Sequence, residues 1–150
     1  MMIRRGRGPR AAPFGQNGSM AQIPGKRERR YVNIGGRPAG LPFSDAVLVG
    51  DALFLSGRIG IDPGTMQAAA DVDEELRLML DGVRATLDAA GMAMDDLVFV
   101  QVYCTDLSLY ARFNAAYRKY FKKDLPARAF LGAGSLLLGA RFEIQAIAVK

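Results

Sequence analysis

Histidine is absent from this 150-residue sequence, and cysteine occurs once, at Cys104. The lack of histidine excludes Ser-His-Asp and Cys-His catalysis and histidine-ligated metals, and it removes the commonest general base. A single cysteine excludes an internal disulfide, and its place in an apolar segment predicts a buried thiol. This cysteine usage fits a reducing compartment, so we expect a cytoplasmic protein.

Long apolar runs are also missing: none approaches the roughly 18 to 20 residues that cross a bilayer. The N-terminus lacks the apolar core of a secretory signal, and a membrane partner is not expected. Half of the residues are hydrophobic, which suffices for one domain with a substantial core.

Positive charge is concentrated at the N-terminus. Of the 20 basic and 15 acidic residues, eight and one lie in residues 1–30, which gives this segment a net charge of +7 and leaves residues 31–150 at −2. Because residues 1–30 are rich in Arg, Gly and Pro without apolar periodicity, we predict a disordered basic tail and one domain over residues 31–150. The tail also fits an organelle-targeting peptide or an RNA-binding arm. For the mildly acidic domain, nucleic acid is not the expected partner.

Hydrophobic periodicity predicts the element order β-β-α-β-α-β-β, with a glycine-rich loop after the second strand. The predicted strands cover residues 46–49, 52–56, 97–104, 125–131 and 141–149, and the predicted helices cover residues 71–90 and 109–121. This order favours an α+β fold with both helices on one face of a mixed sheet. The strand at 97–104 is apolar on both faces except for Gln101, so the other sheet face needs cover, which a homo-oligomer would supply.

Each of the last two strands carries a polar residue that a buried sheet does not readily accommodate, Arg128 in one and Gln145 in the other. Since strand side chains alternate, Arg128 shares a face with Phe130, and Gln145 shares a face with Glu143. If both strands line one pocket, a guanidinium and an amide converge there, an arrangement that suits a carboxylate. The alternative is that Arg128 forms an ion pair with Glu143 or with an acid of another subunit.

Asn114 lies beside the apolar stripe of the second predicted helix, between Tyr110 and Tyr117. A buried amide must be hydrogen-bonded there, or it costs roughly 1 to 3 kcal/mol. The sequence fits two interpretations equally well: Asn114 ties a neighbouring loop to the helix, or it contacts a ligand.

Several segments, in this order and at this spacing, resemble the YjgF/RidA family of reactive intermediate deaminases. They are residues 50–57 (GDALFLSG), 87–91 (LDAAG), 113–117 (FNAAY), 126–128 (PAR) and 142–148 (FEIQAIA). The resemblance covers about residues 40–150. It implies a chorismate-mutase-like fold, a homotrimer with a barrel-like core and three clefts at the subunit interfaces. It also implies hydrolysis of 2-enamine and 2-imino acids to 2-keto acids and ammonia, without metal or cofactor.

The resemblance also assigns site residues. Arg128 takes the position of the family arginine that grips the substrate carboxylate. Ser56 and Gly57 take the positions of a serine and a glycine at the end of the second strand, where the glycine backbone contacts ligand. Asn114 takes the position of the asparagine in the second helix, which favours its ligand role.

Three positions depart from the family pattern as the resemblance gives it: Phe43 replaces a tyrosine, Phe130 replaces a small cysteine, and Gln145 replaces the glutamate that orients the attacking water. An amide holds water but does not accept its proton, and general-base help is worth typically 10²- to 10⁴-fold. Glu143 lies two residues, or roughly 7 Å, along the strand and is not expected to substitute.

The sequence therefore leaves two functions open. The first is a weakened imine hydrolase in which Arg128 binds the carboxylate and Gln145 positions water. The second is a non-catalytic trimer that binds small carboxylates such as 2-keto acids. RNA binding or cleavage, which is attached to some members of the family, ranks below both because the domain carries a net charge of −2.

Overall fold

A six-stranded mixed sheet carries the fold in a computed structural model, which describes residues 28–150. The strands are β1 (Arg29–Val32), β2 (Ala46–Val49), β3 (Ala52–Arg58), β4 (Ile61–Asp62), β5 (Gln67–Ala68), β6 (Leu97–Cys104), β7 (Ala127–Gly132) and β8 (Phe142–Val149). The sheet order is β1-β2-β3-β8-β6-β7, and β4 and β5 form a separate hairpin. The β6–β7 pair is parallel, whereas the other pairs are antiparallel.

Two α-helices, α1 (Val72–Ala90) and α2 (Tyr110–Tyr117), cover one face of this sheet. Helix α1 begins where the Asp71 carboxylate accepts the Glu74 N–H at 2.9 Å, and it ends at Gly91, whose φ of 77° is readily available to glycine. Its apolar stripe is buried against the sheet and comprises Leu76, Met79, Leu80, Val83 and Leu87. None of the helices in residues 28–150 combines the length and the apolarity that a membrane span requires.

Alternation along β8 separates the two faces of the sheet. Phe142, Ile144, Ala146 and Ala148 are buried beneath the helices, whereas the residues between them face the other side. On that second face, the open face, apolar side chains remain uncovered within residues 28–150; Phe54 is 48% exposed and Phe99 is 36% exposed.

The predicted fold class and the order of its main elements are confirmed. Three details differ. The chain adds β1 from Arg29, two residues before the predicted domain start, and the predicted loop contains the short β4–β5 hairpin. The second helix is shorter than predicted, because one-turn 3₁₀ segments at Leu107–Leu109 and Arg118–Tyr120 flank α2. Residues 1–27, most of the predicted tail, lie outside the described residues.

Glu75 is a fully buried carboxylate at the junction of α1 and β8. Its Oε1 accepts the backbone N–H groups of Arg141 at 2.6 Å and of Phe142 at 3.1 Å, and its Oε2 accepts the Arg141 Nε–H at 2.6 Å. Gly60 passes so close to the Glu75 backbone that a Cβ there would overlap it. The buried charge is thus satisfied by three donors and fixes the start of β8 on α1.

We expect Glu75→Ala to lower the free energy of unfolding by about 3 to 5 kcal/mol, because it leaves buried donors and a guanidinium without their acceptor. Urea denaturation followed by circular dichroism measures the change. Glu74→Ala is the matched control: Glu74 is exposed and pairs with Arg77 on the surface, so its loss should leave stability almost unchanged. Equal stability losses in the two variants would contradict the role assigned to Glu75.

Candidate functional site

Arg128 lies on the edge strand β7, on the helix-covered side of the sheet, since it pairs with the fully buried Val100. Its Nη2 donates to Asn114 Oδ1 at 2.8 Å and to Tyr110 Oη at 3.4 Å. Asn114 therefore contacts the predicted arginine from α2, rather than tying a loop to the helix. Both contacts come from one helix, so α2 fixes the orientation of the guanidinium plane.

Four aromatic rings surround the guanidinium of Arg128. Its Cζ lies 5.0 to 5.7 Å from the ring centroids of this aromatic box, which consists of Tyr110, Phe113, Tyr117 and Phe130. Cation–π attraction of roughly 0.5 to 2 kcal/mol stabilises such an arrangement. Because the rings also pack on one another, the box restricts the rotamers of Arg128.

The charge of Arg128 has no acidic partner among residues 28–150, so the predicted alternative of an ion pair with Glu143 of the same chain is wrong. Instead, Arg128 borders an open cavity of about 510 Å³ together with Leu107, Tyr110 and Phe130. A half-buried guanidinium without a counterion, held rigid beside a cavity, is suited to bind an anion.

Gly57 and Glu143 meet on the open face. The register between β3 and β8 shifts between Leu55 and Arg58, so Ser56 and Gly57 form a bulge. The Glu143 carboxylate lies against Gly57 so closely that a Cβ at this position would overlap its Oε1. No side chain or N–H of residues 28–150 donates to the partly buried Glu143 carboxylate, which leaves both of its oxygens available.

Phe43 and Ser56 line a second open cavity, of about 780 Å³. The Phe43 ring is 49% exposed, and the Arg37 guanidinium lies 5.5 Å from its centroid. Ser56 Oγ donates to the Ser44 carbonyl at 2.6 Å, and its N–H donates to the Asp45 carbonyl at 3.0 Å. Since the Ser56 proton is committed to the backbone, this serine holds the Phe43 segment against the bulge.

Asp45 holds the chain segment that contains Phe43 and Ser44 in place. Its carboxylate is buried and accepts the Ile34 N–H at 2.9 Å, and it forms an ion pair with Arg58 at 3.3 Å. Burial lowers the pKa of Arg58, an effect that Asp45 opposes. The ion pair holds the chain before β2 against β3, next to the bulge.

The predicted convergence of Arg128 and Gln145 does not occur within one chain. Strand β6 separates β7 from β8, and Gln145 pairs with Gln101, which in turn pairs with Ala129 rather than with Arg128. Gln145 therefore lies on the open face, and Arg128 lies on the helix-covered face. Around Gln145 is a small cavity of about 120 Å³, lined by Gln101 and by apolar side chains that include Phe54, Phe99 and Ile147.

Glu143 is the functional candidate that the sequence alone did not favour, because it lies two positions away from Gln145 along β8. The alternation of β8 correctly put it on the same face as Gln145, but the bulge that brings Gly57 to it depends on the pairing of β3 with β8. The observation that identifies Glu143 is its contact with Gly57, the predicted ligand-binding glycine, and this contact is visible only in the structure.

The sequence is similar to proteins of one family along most of its length. Residues 36–150 match the family model described as Endoribonuclease L-PSP. A RutC family protein of Pyrococcus horikoshii is 36% identical over 115 residues, which is 76% of this chain and 90% of that protein. The 2-iminobutanoate/2-iminopropanoate deaminase of Homo sapiens is 35% identical over 124 residues, 81% of this chain and 90% of that protein.

The structure is also similar to the solved structures of related proteins. The crystal structure of E. coli TdcF with bound serine aligns with a TM-score of 0.74 at 31% identity, covering 81% of this chain and 98% of that chain. The chain therefore belongs to the YjgF/RidA family, which the family model describes as Endoribonuclease L-PSP.

Proposed function

We propose that this protein hydrolyses 2-imino acids and their 2-enamine tautomers to 2-keto acids and ammonia. The observation that carries the proposal is the guanidinium of Arg128, which α2 and the aromatic box hold beside a cavity without an acidic partner among residues 28–150. The family relationship to a protein named as an imine deaminase supports the same chemistry.

Substrate binding begins with the carboxylate. Nη2 of Arg128 donates hydrogen bonds to Asn114 and Tyr110. Its Nε and Nη1 groups have no partner among residues 28–150 and are available to a carboxylate. The bound serine of the TdcF relative carries an α-carboxylate of the same kind. Phe130 narrows the cavity beside the guanidinium, which favours a small or apolar substrate side chain.

Glu143 is the group that activates water. In the proposed reaction its carboxylate accepts a proton from water as the oxygen attacks C2 of the protonated imine, and it returns this proton to nitrogen. As the C–N bond breaks and ammonia leaves, the carboxylate takes up the remaining hydroxyl proton and the carbonyl of the 2-keto acid forms. The backbone of Gly57 orients the substrate beside it. Glu143 takes over the role predicted for Gln145, whose amide lies beside Gln101 and accepts no proton at neutral pH.

A complete site requires two chains. Arg128 and Glu143 lie on opposite faces of one sheet, so a small substrate reaches both only where the helix-covered edge of one subunit meets the open face of the next. A homotrimer that packs its three open faces into a barrel-like core brings these two surfaces of neighbouring subunits together. The exposed apolar residues Phe54 and Phe99 on that face support such packing.

The activity is tested by generating imino acids with an amino-acid oxidase and trapping them with semicarbazide. We expect the protein to reduce semicarbazone formation, because hydrolysis competes with trapping, and we expect Arg128→Ala to remove the effect. Unchanged trapping by a wild-type protein that binds pyruvate in calorimetry would identify the non-catalytic carboxylate-binding protein instead.

The same assay distinguishes the two water-activating candidates. Glu143→Gln should lower kcat by roughly 10²- to 10⁴-fold with little change in pyruvate affinity, because the carboxylate binds water rather than the acid group. Gln145→Met, which preserves the length of the side chain, should retain activity within a few fold. The reverse result would return the role to Gln145.

Shared sites predict complementation between inactive variants. When Arg128→Ala and Glu143→Gln chains are unfolded, mixed in equal amounts and refolded, about one quarter of the sites should combine an intact Arg128 with an intact Glu143. Activity should rise to about that fraction of the wild-type value. A mixture that stays inactive although mass spectrometry detects mixed trimers would show that each site belongs to one chain.

A further inference from the structure

We propose that the Tyr110 hydroxyl is a second substrate-binding group of this site, donating a hydrogen bond to the carboxylate that Arg128 holds. The inference rests on the proposed function and names the other protein group that recognises the acid end of the substrate.

Tyr110 and Phe130 differ from the other two rings of the aromatic box in their access to the cavity. Phe113 and Tyr117 are buried, whereas Tyr110 is 47% exposed and lines the cavity with Arg128 and Phe130. Among the described residues that line this cavity, Arg128 and Tyr110 alone have polar side chains. Their polar atoms are adjacent, with Arg128 Nη2 3.4 Å from Tyr110 Oη.

The hydrogen bonds around Tyr110 leave its own proton free for a ligand. A guanidinium has no acceptor, so the Asn114 atom that faces Arg128 is Oδ1, and the Asn114 amide group is left to donate. Arg128 Nη2 donates to the Tyr110 hydroxyl at 3.4 Å, and the side chain of Asn114 lies close to it. The hydroxyl oxygen therefore accepts a bond from Arg128, while its O–H has no acceptor among residues 28–150 and is available toward the cavity.

The same neighbours also change the pKa of the Tyr110 hydroxyl. The nearby Asn114 side chain and the positive charge of Arg128 hold the pKa of Tyr110 below its usual value of 10. The Tyr117 hydroxyl beside the same guanidinium behaves oppositely: it is buried without a hydrogen-bond partner in the described chain, and burial raises its pKa to about 12.

The ring of Tyr110 is held in place independently of its hydroxyl. It packs edge-to-face on Phe130, with ring centroids 4.9 Å apart and an interplanar angle of 84°, and it lies 5.7 Å from Arg128 Cζ. Tyr110→Phe keeps both ring contacts, so the substitution isolates the contribution of the hydroxyl.

Proton loss from Tyr110 should weaken carboxylate binding. Below its pKa the hydroxyl is a neutral donor; above it, a phenolate removes the donor and repels the substrate carboxylate. Affinity is therefore expected to fall as the pH rises toward 10. The other charged or titratable groups around it are Arg128 on β7, Arg118 after α2, Asp106 before α2 and Tyr117. The pKa of Asp106 is lowered by its hydrogen bond to Ser108, and burial raises the pKa of Tyr117 to about 12, so neither group titrates in this range.

Calorimetric titration with pyruvate between pH 7 and 10 tests the inference on the full-length protein. We expect Tyr110→Phe to weaken binding roughly tenfold or more at pH 7, as for a hydrogen bond to a charged group, and to remove the decline of affinity with pH. Tyr120→Phe is the matched control, because its hydroxyl donates to Asp81 at 2.9 Å outside this cavity. It should keep the wild-type affinity and pH profile.

Two outcomes separate this inference from the function on which it rests. If Arg128→Ala abolishes pyruvate binding and Tyr110→Phe matches the wild-type protein at every pH, the hydroxyl has no such role and the carboxylate site stands. If the wild-type protein does not bind pyruvate at all, both the site and the inference are overturned.

Discussion

The buried carboxylate of Glu75 is the interaction on which the rest of this architecture depends. It accepts the two backbone N–H groups at the start of β8 and the side chain of Arg141, and the absence of a side chain at Gly60 allows the close approach. Removing a charge from water is costly unless such donors replace the solvent. The arrangement fixes where β8 begins, and strand alternation then puts Glu143 on the open face beside Gly57.

The two halves of the proposed site are built by different means. Arg128 is held by contacts from one helix and a box of aromatic rings, an environment of cation–π attraction and neutral hydrogen-bond partners. Glu143 is held by strand pairing and by contact with a glycine backbone. This separation keeps the cation and the carboxylate of one chain from neutralising each other, so both retain their charge for a substrate.

Local signals in the sequence predicted the elements well. Asp71 and Gly91 mark the ends of α1 through side-chain capping and a left-handed backbone, and both effects depend on neighbouring residues alone. The apolar run over Leu97–Cys104 predicted β6 with its observed bounds. Strand β1 escaped prediction because its short, arginine-rich segment gains its order from pairing with β2, which is distant in the chain.

The site was predictable residue by residue but not in its arrangement. Arg128 and Asn114 are candidates from the sequence and meet in the structure, whereas Gln145 lies on the opposite face because β6 intervenes between β7 and β8. Strand order and bulges are set by long-range pairing, which periodicity does not encode. The contact between Glu143 and Gly57 has that origin, and so it emerged only from the structure.

The bulge at Ser56 and Gly57 has a consequence for how function could change in this chain. The space beside Gly57 is filled by the tip of a flexible acidic side chain, so an added methyl group there would displace the carboxylate and leave the core intact. Arg128, on the other face, would keep its hold on an anion. Under the proposed mechanism, a change of Gly57 to alanine would thus turn a hydrolase into a binding protein for its own 2-keto acid product. The two functions would differ by a single methyl group.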